Sequence, residues 1–91
     1  MSSKIKTASV VISQRGRDAG RVMAVMSVDG VYALTADGRK RKVEAPKRKK
    51  LCHLSLLSED ACVQVDAGLT NRKLWKQLEP YRKQIQDSSD T

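Results

Sequence analysis

The chain has 91 residues, with 18 Lys and Arg against 10 Asp and Glu, for a formal net charge of +8 at pH 7. A chain of this length makes one small domain, and such domains bury only about 60% of their unfolded surface. Phe is absent and Trp75, Tyr32 and Tyr81 are the only aromatics, so the core must be aliphatic. No apolar stretch approaches the roughly 20 residues that cross a bilayer, which excludes a helical membrane span.

The charge is local. Residues 1–50 hold thirteen basic and four acidic residues, net +9, while residues 51–91 hold five and six, net −1, and the two sum to +8. Much of the excess lies in RKRKVEAPKRKK (39–50), where eight of twelve residues are basic and only Glu44 opposes them. A run like this is costly on a compact surface unless it meets an anion, so a polyanion, nucleic acid first, is the expected partner. The leading MSSKIKTASVVIS has too short an apolar stretch for a signal peptide and no small-residue cleavage pattern follows. A cytoplasmic location is expected, with Cys52 and Cys62 as reduced thiols.

In chain order, the β-branched run ASVVISQ (8–14) predicts a first strand, and QRGRDAGR, with Gly16 and Gly20, predicts a polar loop. RVMAVMSV (21–28) predicts a second strand, apolar on nearly every position because a small barrel buries one face and partly covers the other. Asp29-Gly30 is a hairpin signal of the type I′ class, VYALTA (31–36) is the returning third strand, and Asp37-Gly38 turns the chain again. RKRKVEA (39–45) is then the expected fourth strand, stopped by Pro46, with KRKK as a loop and LCHLSLLS (51–58) as a fifth strand or closing segment. Four or five short strands joined by tight turns predict a mainly β fold, a small antiparallel barrel over 6–58.

Beyond Ser58 the pattern changes. Residues 59–69 are compatible with loop, short helix or short strand. Leu74, Leu78, Tyr81 and Ile85 then recur at helical spacing, with Thr70 or Asn71 as N-cap. Pro80 is expected to end or kink that helix, which gives 71–79, or an extension to 86 if it only kinks. Residues 59–91 are thus a helical appendage, with QDSSDT expected to be disordered.

SVVISQRGRDAGRVMAVMSVDGVYALTADG, followed by RKVEAPKRKKLCHL, resembles a KOW motif. It is similar to the KOW-containing large-subunit ribosomal proteins of archaea and eukaryotes, in which GREAGR-like loops precede an apolar strand and a basic segment ends in HL. It also resembles short bacterial KOW-domain RNA-binding proteins. The likeness covers about residues 6–57, and KOW motifs also occur in transcription elongation factors. It implies an SH3-like barrel, no catalysis, and RNA contact through loops and basic strand ends, with Gly20 as the motif glycine.

The expected RNA-binding residues are Arg15, Arg17 and Arg21 around the first loop, then Arg39, Lys40, Arg41 and Lys42, then Lys47, Arg48, Lys49 and Lys50. Glycine lets backbone approach a phosphate, and arginine grips one bidentately where lysine acts as a point charge. Several bland readings compete: Arg17 pairing with Asp18 on a solvated turn, or Arg39–Lys42 protecting a sheet edge. On a strand, Arg39 and Arg41 would face one side and Lys40 and Lys42 the other. Trp75 reads as a helix-docking residue or a base-stacking one, and Tyr32 as a core residue or, if it faces outward, a stacking candidate.

His53, Cys52 and Cys62 fit no zinc spacing and lack a fourth ligand, so they read as buried thiols beside a partly buried histidine. Asp18 has no His or Ser partner, and no catalytic constellation is visible, so no enzyme activity and no cofactor are expected. The leading expectation is a monomeric cytoplasmic protein on structured ribosomal RNA or the large ribosomal subunit. The alternative is a protein–protein adaptor in transcription or translation that sets the barrel's apolar edge or the Leu74/Leu78 helix against a protein partner. A membrane-surface role lacks a basic amphipathic helix or lipidation motif. RKRK and KRKK also have the composition of a nuclear import signal.

Overall fold

The computed structural model describes residues 5–57 and 63–89, the last four by backbone alone. Five strands form one antiparallel sheet: β1 (Val10–Ser13), β2 (Val22–Asp29), β3 (Tyr32–Ala36), β4 (Lys47–Lys50) and β5 (Leu54–Leu56). Their spatial order is β4-β3-β2-β1-β5, so the chain meanders through four strands and returns the fifth to the first. One helix, α1 (Asn71–Ser89), follows, and short 3-10 turns occupy Gly16–Asp18 and Leu51–His53. The described part is mainly β, and no helix is long and apolar enough to cross a membrane.

The apolar density of β2 has its reason in burial on both faces. Met23 and Val25 join Val11, Ala33, Leu54 and Ile5 in one cluster. Val22 and Ala24 face the other way, into a cluster with Val10, Ala36, Val63, Leu74 and Leu78. Helix α1 closes this second layer. Leu74 and Leu78 are fully buried, and Tyr81 and Ile85 pack half-buried against the same cluster. The periodic face read from the sequence is therefore the one that meets the sheet, which leaves Leu74 and Leu78 unavailable to a protein partner.

Several expectations change. The fourth strand is not 39–45 but Lys47–Lys50, which pairs with β3 in the register Tyr32↔Lys50, Ala33↔Lys49, Leu34↔Arg48 and Thr35↔Lys47. Residues 39–45 are loop because the Asp37 carboxylate accepts the backbone N–H groups of both Arg39 and Arg41 at 2.9 Å, a local bond that competes with a ladder. Pro46 ends that loop, and the ladder begins at the next residue, which still has its N–H. The first hairpin is offset by one residue: Asp29 pairs with Tyr32, and Gly30-Val31 is the turn, with φ positive only at Gly30, the sign pattern of type II′. LCHLSLLS splits into the second 3-10 turn and β5.

The helix runs through Pro80 to Ser89, so the disorder expected from residue 86 is not seen at 86–89, while 90–91 lie outside the described residues. Packing of Leu74 and Leu78 before the proline and of Tyr81 and Ile85 after it outweighs one missing donor. Thr70 is the N-cap, its Oγ1 accepting from the Lys73 N–H at 3.2 Å. Asn71 instead accepts from the Val43 N–H at 2.7 Å and donates to Glu44, tying the 37–46 loop to the helix. Gly38, at φ +87, lies so close to this helix end that a Cβ would collide with the Asn71 carbonyl. Of the stretch 59–69, residues 63–69 form neither strand nor helix, and 59–62 lie outside the described residues.

Candidate functional site

The basic residues are organised by two acids, Asp18 and Asp37, that the sequence suggests only as loop and turn residues. Asp18, at the end of the first 3-10 turn, is buried, and its Oδ2 accepts from Arg41 Nε at 2.9 Å. Lys49 Nζ lies 3.3 Å from the same oxygen and Lys40 Nζ lies 3.7 Å from Oδ1. The side chains are 0% exposed for Asp18, 9% for Lys49, 26% for Arg41 and 42% for Lys40, so the contact with Lys49 is the driest. Burial pushes the Asp18 carboxyl up, but the hydrogen bonds and charges of Arg41 and Lys49 outweigh it and hold the pKa below the ordinary carboxylate value. The competing pairing of Arg17 with Asp18 is absent among the described residues, and the Arg17 side chain is exposed.

Lys49 reaches this carboxylate because of strand register. It stands opposite Ala33, a core residue, so its side chain runs inward across the sheet. Arg48 and Lys50 stand opposite Leu34 and Tyr32 on the outer face, and the Arg48 guanidinium lies 3.8 Å from the Tyr32 ring centroid. Tyr32 thus faces outward, but its ring is already covered by a cation. β4 is an edge strand, which is the position where lysine-rich sequence discourages strand addition.

Asp37 is the second acid, also fully buried. Arg21 Nη1 bonds its Oδ2 at 2.9 Å while its Oδ1 holds the loop amides. Arg39 then turns toward α1, where its guanidinium carbon lies 4.5 Å from the Trp75 ring centroid. Arg82 stacks on the same ring at 3.6 Å, fixed by a bond from Nη1 to the Trp75 carbonyl at 2.9 Å. Trp75 therefore docks the 37–46 loop on α1 and carries two cations, one of them Arg82 from outside the basic run.

The predicted residues thus divide by environment. Arg21, Lys40, Arg41 and Lys49 are drawn to buried acids, and Arg39 and Arg48 lie on aromatic rings. Arg15, Arg17, Lys42, Lys47 and Lys50 are exposed, with side chains that meet no carboxylate among the described residues. The alternating faces expected for 39–42 do not occur, because these residues are not a strand. Gly20 adopts φ +86 with no atom near an added Cβ, so its requirement is backbone conformation rather than close approach. Gly20→Ala is expected to cost about 1–2 kcal/mol, measured by urea unfolding, with little change in surface chemistry.

Cys52 is exposed, contrary to the buried thiol expected, because Leu51 and Leu54 on either side supply the inward contacts. His53 is half-buried, its carbonyl accepting from the Gln14 N–H at 2.8 Å, and Cys62 lies outside the described residues. No protein-family model matches the chain, and no curated protein matches it.

Proposed function

We propose that this chain is a non-catalytic, KOW-type RNA-binding protein whose sheet is a small SH3-like barrel. In this reading it acts in the cytoplasm as a monomer without a cofactor, on structured ribosomal RNA of the large subunit. The order β4-β3-β2-β1-β5, with the last strand returned to the first, supports the barrel assignment. The observation that carries the function is the convergence of three basic segments on one buried carboxylate. Asp18 gathers the first loop, the 37–46 loop and β4 through Lys40, Arg41 and Lys49. The neighbouring Arg17, Lys42, Lys47, Arg48 and Lys50 keep exposed side chains on those same three segments.

Fixed cations without acidic partners suit phosphates, and recognition by shape and charge suits folded RNA. With about six phosphates neutralised, log affinity for ribosomal RNA fragments should fall with log salt at a slope of roughly −4 to −5. A binding titration between low and moderate salt measures it, and a salt-independent affinity would overturn the proposal. Sucrose-gradient sedimentation of lysate addresses the ribosome: comigration with the large subunit at low salt, lost at high salt, is the expected result for an associated factor.

A further inference from the structure

A cleft of about 540 Å³ separates the first 3-10 turn from α1. Arg17, Asp18 and Arg21 line one wall, and Trp75, Arg82 and Ile85 line the other. Its chemistry differs from that of the open basic surface. The Arg82 guanidinium is held over the Trp75 ring, 3.6 Å from its centroid, by its bond to the backbone, which presents a planar cation beside an apolar side chain. Neither Arg39 nor Arg82 forms an ion pair among the described residues, so two cations meet on one indole, with the Glu79 and Asp37 carboxylates acting on Arg82 only from beyond ion-pair distance. Burial and the neighbouring Arg39 push the Arg82 pKa down, with Glu79 and Asp37 opposing. Asp18 Oδ1, buried in the opposite wall, has Lys40 Nζ 3.7 Å away, so its charge is met within the protein and not by Arg17 or Arg21.

We infer that this cleft takes one unpaired nucleotide of the bound RNA, with its base on the Arg82–Trp75 stack and its phosphate on Arg17 and Arg21. The inference rests on the RNA-binding reading and adds to it a base-dependent contact that phosphate binding alone does not supply. Bases stack on guanidinium planes as well as on aromatic rings, and a planar, partly desolvated cation favours both the π-face and the adjacent phosphate. Arg21 retains free donors for this purpose, because its bond to Asp37 uses Nη1 alone.

Trp75 is the only tryptophan in the chain, so its fluorescence reports on the cleft directly. The test compares an adenine oligoribonucleotide of about eight nucleotides with a fully abasic oligomer of equal length and charge. The base-bearing oligomer should bind roughly 5- to 150-fold more tightly and should quench Trp75 saturably. Arg82→Lys keeps the charge and loses the plane, so it should retain the abasic affinity while the ratio between the two oligomers falls toward one. Equal binding of both oligomers by the natural protein, without quenching, overturns the nucleotide site and leaves the phosphate reading standing. An unchanged ratio in Arg82→Lys overturns the stack as its cause. Absence of binding by either oligomer, and by ribosomal RNA fragments, overturns the RNA reading and this inference with it.

Discussion

Asp18→Ala is expected to cost about 2–4 kcal/mol of stability and, at roughly 4–8 °C per kcal/mol for a domain of this size, to lower Tm by at least about 8 °C. The upper part of the range for breaking a buried pair is not reached, because Arg41 and Lys40 keep contact with water and their repulsion is screened. Lys49 has no such escape. Its stem runs inward beside Ala33, and without Asp18 its ammonium is left unpaired with 9% of the side chain exposed. The double variant Asp18→Ala with Lys49→Met should therefore recover part of the loss, since replacing a buried pair by apolar groups is often neutral. Thermal unfolding of the two single variants and the double one closes the cycle, and strict additivity would show that the stranded ammonium is not the cause.

The same carboxylate gives a sign for pH. Because its folded pKa lies below the unfolded one, its contribution is fully present above the ordinary carboxylate value near 3.9 and is lost as pH falls through the folded value. Neutral and mildly alkaline conditions leave it untouched. The stability gap between the natural protein and Asp18→Asn should narrow below about pH 4 and stay constant from about pH 5 to 8. Urea unfolding across that range measures the gap, and a gap that widened on acidification would contradict the assignment.

The second large effect concerns binding. Changing Lys42, Lys47, Arg48 and Lys50 to Gln removes cations that none of the buried acids needs, so the fold should survive. Each phosphate contact contributes a slope of about 0.7–0.9, so the salt slope should become shallower by about 3. Affinity at low salt should fall by at least about 100-fold, uniformly across RNA sequences. Circular dichroism checks the fold, and filter binding at several salt concentrations measures the slope. A protein complex that survived this variant while RNA binding was never detected would favour the adaptor alternative. That alternative has lost its helix face, because Leu74 and Leu78 are in the core. Changing Arg41 and Lys49 instead should act mainly through stability, because each pairs with the buried Asp18.

The strands and their charges were legible to different degrees. β1, β2 and β3 follow from β-branched runs between glycine turns, and the buried stripe of α1 follows from Leu74, Leu78, Tyr81 and Ile85. These signals are local, carried by residues a few positions apart. The assignment of β4 failed because RKRKVEA and KRKK each hold four basic residues, and charge does not say which of them pairs with β3. What distinguishes them is Asp37, which captures the amides of Arg39 and Arg41 once its carboxylate is buried.

By itself, the sequence determined a small, aliphatic, mainly β chain with a helix after it and an excess of positive charge in its first half. Only the tertiary structure decided which of those charges are available and which are spent. Asp18 lies 23 residues from Arg41, and Trp75, which meets Arg82 two turns along its own helix, also receives Arg39 from a loop 36 residues earlier. Side chains that far apart in sequence become neighbours only when the sheet closes over its core and α1 docks. Burial then sets the outcome: a carboxylate removed from water must hold the cations that reach it, and the cations that do not reach it remain for a partner.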